Sequence, residues 1–103
     1  MDDGIFQVAS QYARWLAVRQ NAIAYNVANA NTPDFIPRDT EPFSVSRSEP
    51  RTVDREGAEV LYSGNGVDLD QELLNAAEVS RAQTLNSAVL KAFHRMVISS
   101  IKE

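Results

Sequence analysis

The 103-residue chain contains no cysteine and a single histidine, His94. The first absence excludes disulfides, thiolate metal sites and a cysteine nucleophile together. The second leaves no material for a histidine-rich metal site or a histidine-based triad. No apolar run approaches the roughly 18 to 20 residues that cross a bilayer. The first residues, Met1-Asp2-Asp3-Gly4, are acidic where a secretory signal is basic, and no apolar h-region follows. The chain is therefore expected either to stay in the cytoplasm or to leave by a route that needs no cleaved signal peptide. Positive charge is also in deficit, with 10 basic residues against 14 acidic, a net charge of -4. Phosphate backbones and anionic lipid surfaces repel such a chain, so no nucleic-acid partner is expected. An enzyme would need a carboxylate pair such as Asp68 and Glu72 with a companion base or nucleophile, and the sequence offers no companion. No catalytic residue, no cofactor, no metal and no small-molecule substrate are expected.

Helix breakers are scarce outside the middle. All four prolines (Pro33, Pro37, Pro42, Pro50) and three of the four glycines (Gly57, Gly64, Gly66) fall between residues 33 and 66. Charge divides in the same way. Residues 32–70 carry nine acids against four arginines, whereas the flanks are close to neutral. The division gives one domain, 1–103, in three parts: an N-terminal helix over 1–31, an extended linker over 32–67 and a C-terminal helix over 68–103.

The first flank reads as one helix from about Asp3 to Asn29. Ile5, Ala9, Tyr12, Leu16, Arg19, Ile23, Asn26 and Ala30 recur at alternating spacings of four and three, a heptad-like stripe. Asn29 or Asn31 is suited to the left-handed position that ends a helix, and Pro33 forbids continuation. The second flank reads as a helix from about Leu69 to Ile101. Asp68-Leu69-Asp70-Gln71 fits a capping box, with Asp68 accepting from the first free N–H groups and Gln71 reaching back. Leu74, Ala77, Arg81, Leu85, Ala88, Ala92 and Ser99 trace one face. Leu90, Phe93, Val97 and Ile101 trace a neighbouring one. The expected fold is all-α: two long helices in an antiparallel hairpin or coiled coil, joined by an acidic linker with at most short strands.

Within the linker, Phe35-Ile36, Phe43-Ser-Val45 and Val60-Leu61-Tyr62 each read as a short strand or as a hydrophobic clip laid on a helix. A 35-residue segment without regular structure is unusual in a compact domain and suggests ordering against something else. Two helices bury only the strip where they meet, and Trp15, Tyr12, Phe6 and Phe93 do not all fit there. A hairpin of this size should be marginal alone. The sequence reads as a subunit that completes its core by assembly.

Asparagine is a poor residue for a helix interior because its amide competes for backbone hydrogen bonds. Asn26, Asn29 and Asn31 crowd the end of the first helix. They read either as a capped, frayed terminus or as amides that fix how neighbouring helices dock. Asp68, Asp70 and Glu72 resemble a metal cluster only superficially, since their spacing is not that of a calcium loop, and a helix cap is the better account. Gly64-Asn65-Gly66 lacks the Gly-Lys-Ser/Thr of a phosphate loop and reads as a turn leading to that cap. His94 reads as a surface or interface histidine near a helix C-terminus. The basic residues of the helices are ordinary solvated charge, or they meet acidic linkers of adjoining copies.

Ile23-Ala24-Tyr25-Asn26-Val27-Ala28-Asn29-Ala30-Asn31-Thr32-Pro33 resembles the N-terminal signature of bacterial flagellar rod and hook proteins. Arg38-Asp39 and Gly64-Asn65-Gly66-Val67-Asp68-Leu69-Asp70-Gln71-Glu72 narrow the resemblance to the FlgB family of proximal rod proteins. The chain departs from the signature at Asp34, where glycine is usual, and its middle is shorter than the family's. A type II turn needs positive φ at position 34, which Asp tolerates at modest cost; a type I turn is the other possibility.

The resemblance implies a non-enzymatic subunit of the basal-body rod, located in the periplasm. It would be exported largely unfolded by the flagellar export apparatus and packed through its terminal helices into a wall that transmits torque. Implied partners are other rod proteins, the rod adaptor at the membrane-ring base and further copies of the same chain. The residues implicated in assembly are Asn26, Asn29, Asn31, Thr32, Pro33, Asp68, Leu69 and Asp70. The rival reading is a small cytoplasmic helical adaptor or secretion chaperone acting as a homodimer.

Overall fold

A computed structural model describes residues 3–47, 49–55 and 66–102. Two helices dominate it: α1, Asp3–Ala28, and α2, Leu69–Ile101. Between them lie two three-residue strands, β1 (Arg38–Thr40) and β2 (Thr52–Asp54), paired antiparallel with Arg38 opposite Asp54 and Thr40 opposite Thr52. The strands are not the apolar pieces of the linker. They are polar, and Phe43 instead lies against the rings of Tyr12 and Trp15 at 5.1 and 6.1 Å between centroids. Phe35 packs in the same manner on Tyr25, at 5.4 Å. Both phenylalanines are clips; Val60-Leu61-Tyr62 lies outside the described residues.

The helices run antiparallel, since Phe6 meets Phe93 near one end and Asn26 meets Glu72 near the other. The shape is correspondingly long, 63 × 24 × 16 Å, with a radius of gyration of 17.5 Å, against about 13 Å for a compact domain of this length. Its central cluster is small: Leu16, Ile23 and Val79, flanked by Tyr12, Trp15, Ala76 and Ala82. Full burial of one such aliphatic side chain contributes about 2 kcal/mol. Three such residues make a thin core for a chain of this length.

The terminal signals of the two helices differ in outcome. Asp68 Oδ1 accepts from the N–H groups of Asp70 and Gln71, at 3.1 and 3.3 Å, so the cap forms. Gln71 does not reach back to complete a capping box; its amide donates to Asn75 Oδ1 one turn on. At the end of α1 neither Asn29 nor Asn31 is left-handed. Among the described residues Asp34 is the only non-glycine with positive φ, 61°. Pro33 precedes it, and the Phe35 N–H donates to the Thr32 carbonyl at 3.3 Å. This is the type II pattern rather than type I, with Asp where glycine is least strained.

Of the two apolar faces traced on α2, the one through Leu90, Phe93 and Val97 is half-buried and meets α1 at Phe6, whereas the other does not pack on α1. Leu74, Ala77, Arg81, Leu85, Ala88 and Ala92 are all exposed. Glu72, Val79, Asn86 and Phe93 lie toward α1, a seven-residue repeat in which two of four members are polar. These polar residues are retained at the seam because each has a partner there. The Asn86 amide, for example, donates to the Ala9 carbonyl at 3.1 Å.

Candidate functional site

Asn26 ends the buried stripe of α1 and is fully buried. Its Oδ1 accepts from the Arg38 N–H at 2.9 Å and its Nδ2 donates to the Arg38 carbonyl at 3.0 Å. One amide thereby satisfies both backbone groups of a strand residue, as a third strand would, and it covers the edge of β1 at that point. The same Nδ2 lies 3.3 Å from Glu72 Oε2.

Glu72, one turn into α2, has 0% exposure. A buried carboxylate is tolerable only when it is paired and hydrogen-bonded. Arg55, just after β2, supplies the charge: its guanidinium donates to Glu72 Oε2 and to Asp39 Oδ1, both at 2.8 Å. The bonds from Asp39 chiefly raise the Arg55 pKa above its ordinary value; burial opposes them and Glu72 adds to them. A raised folded-state value means that the stabilisation is complete below the unfolded pKa. On the alkaline side it is therefore retained until arginine itself would titrate. Asn26, Arg38, Asp39, Arg55 and Glu72 thus tie the strand pair to both helices.

A second anchor lies farther along α1. The Trp15 indole N–H donates to the Glu41 carbonyl at 2.7 Å, and the Arg19 guanidinium sits 5.8 Å from the Trp15 ring while pairing with Glu78 at 2.6 Å.

The residues implicated in assembly divide into Asn26 and two surface groups. Asn26 is interior, and every bond just described is within its own chain. Asn29, Asn31, Thr32 and Pro33 form the turn after α1. There the Asn29 amide donates to the Tyr25 carbonyl at 2.9 Å, the Thr32 hydroxyl donates to Asn29 Oδ1 at 3.0 Å, and Asn31 and Pro33 are exposed. Asp68 is the cap of α2; Leu69 and Asp70 are exposed in its first turn. The two groups are neighbours in space, because the Gly66 N–H donates to the Phe35 carbonyl at 3.1 Å. No cluster of three metal-ligating side chains exists among the described residues, and no helix of the described residues is long and apolar enough to cross a membrane.

Sequence reasoning missed the pairing of Arg55 with Glu72. In the sequence Glu72 stands out only beside Asp68 and Asp70, as a carboxylate pair, a metal cluster or part of the cap, and no local pattern links it to Arg55.

Over 124 aligned positions the chain is 32% identical to the flagellar basal body rod protein FlgB of Agrobacterium fabrum (strain C58 / ATCC 33970), covering 95% of this chain and 92% of that protein. The chain belongs to the FlgB family. It is accordingly a structural protein of the flagellar rod, not an enzyme. No family model matches it. The alignment is longer than the 103 residues present, so the Agrobacterium FlgB has stretches with no counterpart in this member.

Proposed function

We propose that this FlgB-family chain is a subunit of the basal-body rod that assembles through the outward face of its helices and transmits torque there. One observation supports this above the others. On α2, Leu74, Leu85 and Met96 recur every eleven residues, just over three whole turns, and are 64%, 65% and 67% exposed. A monomer rarely leaves such a stripe on a helix whose buried residues are Glu72 and Val79 alone among those described. Neighbouring helices would bury it, and many close-packed contacts along long helices resist twisting.

The proposed partners are other rod proteins, the rod adaptor at the membrane-ring base, further copies of this chain and, during delivery, the flagellar export apparatus. A thin, weakly cored hairpin is suited to crossing an export pore unfolded without a cleaved signal, and to folding on arrival.

Circular dichroism combined with sedimentation tests the reading. A chain built for assembly is weakly helical as a monomer and gains helix as concentration rises; a sharply melting species unaffected by dilution overturns it. In cells, Asn29→Leu is expected to abolish rod incorporation with expression unchanged, scored by basal-body isolation and motility. Normal rods in that variant would remove the Asn29 turn from the assembly surface.

A further inference from the structure

The apolar residues of the outward stripe of α2 are spaced symmetrically, and its charges are not. Leu74 and Met96 each lie eleven residues, about 16 Å, from Leu85. Ala77, Ala88 and Ala92 lie beside them, exposed and small enough to let another helix approach. Asp70 stands at the start of this face, and Arg81, Arg95 and Lys102 follow toward its end. All four lie within about 80° of Leu74 around the helix axis. They are exposed and take no part in the ion pairs among the described residues. Glu78, the other acid on this side, is already neutralised by Arg19 at 2.6 Å. The sequence has no acid from 79 to 102.

This polarity selects what can cover the stripe. A second α2 laid parallel and in register would match its apolar residues, but it would also set Asp70 on Asp70 and each arginine on itself. Like charges so placed repel. Sliding that helix by eleven residues brings Asp70 to Arg81 and carries Arg81 in between Lys91 and Arg95 of the second copy. Reversing it removes the conflict. With Leu85 on Leu85, Leu74 meets Met96 at both ends, and Asp70 of each chain falls between Arg95 and Lys102 of the other. Arg81 then lies along Val89, where its aliphatic stem covers apolar surface. Apolar and charged positions agree in the antiparallel register, and they agree twice.

We propose that the outward face of α2 pairs with the same face of a second copy, antiparallel, about a two-fold axis at Leu85. The inference rests on the assembly role given to that stripe above. A two-fold contact uses the same patch on both chains and closes at two copies, so it cannot extend into a wall. The pair is therefore a resting form of the chain, which withholds the stripe until rod neighbours compete for it.

A chain without cysteine makes the orientation directly testable. Separate full-length chains carrying Leu74→Cys and Met96→Cys are mixed in a thiol–disulfide exchange buffer, at concentrations where sedimentation detects association. Both positions are exposed, and circular dichroism checks that each variant keeps the helix of the parent chain. The mixed disulfide is expected in about tenfold excess over either like disulfide, because pairing raises the local concentration of the opposite thiol. Sedimentation is expected to stop at two copies. Association in which like disulfides dominate, or in which all three form in random proportion, would overturn the antiparallel pair and leave the assembly role standing. A chain that stays monomeric at every concentration would also overturn the pair; if that monomer melts sharply, the assembly role falls with it.

Discussion

The two ends of the helix pair are held by different physics. At the end bearing the strands, a buried carboxylate, an arginine and an asparagine bind three segments distant in sequence, and each bond has a direction. Toward the other end one such bond remains, from the Asn86 amide to the Ala9 carbonyl, and the rest of the contact is the Phe6–Phe93 edge-to-face pair at 5.0 Å with half-buried residues such as Leu90 and Val97. Directional bonds fix one register and tolerate little change. Apolar contacts along a helix are individually small and interchangeable, so that half is free to present its other face to partners. One end specifies the fold of the subunit, and the remaining length of α2 carries the surface proposed for the rod.

Three substitutions probe this division. The largest effect is expected at the directional end. Glu72→Ala leaves Arg55 and Asn26 without their shared acceptor, and removing one member of a buried pair costs about 3 to 5 kcal/mol. Arg55 keeps Asp39 and some access to water, so about 3 kcal/mol is expected. That is enough to abolish helical circular dichroism in a chain this lightly cored, with partial recovery in a stabilising osmolyte. An unchanged urea midpoint would show that the network does not hold the strands to the helices. A smaller change of opposite sign is expected from Asp34→Gly. Relief of the left-handed strain should exceed the added freedom of the unfolded chain by about 0.5 kcal/mol, seen as a modest rise in the same midpoint. A loss of stability there would mean that Asp34 makes a compensating contact. The smallest effect on the isolated chain belongs to the outward stripe. Leu85→Ser should alter monomer stability by no more than about 0.5 kcal/mol and yet suppress the concentration-dependent gain of helix. If Leu85→Ser unfolds the monomer instead, the two ends are not separable in this way.

The sequence determined the features governed by neighbours a few residues apart. Both helices lie where their periodicity and breakers put them. Asp68 caps α2, and Pro33 bars the path of α1. Each follows from backbone sterics or from a hydrogen bond spanning at most four residues, which the local order of side chains fixes.

Only the tertiary structure decided which face of α2 turns inward and which residues form strands. Apolar spacing favoured the Leu74–Leu85 face, yet Glu72 and Asn86 lie inward because Asn26, Arg55 and the Ala9 carbonyl are there to receive them. A polar residue belongs in an interior only when a partner from elsewhere in the chain arrives at bonding distance. That partner is set by the folded path of the backbone, which no local pattern contains.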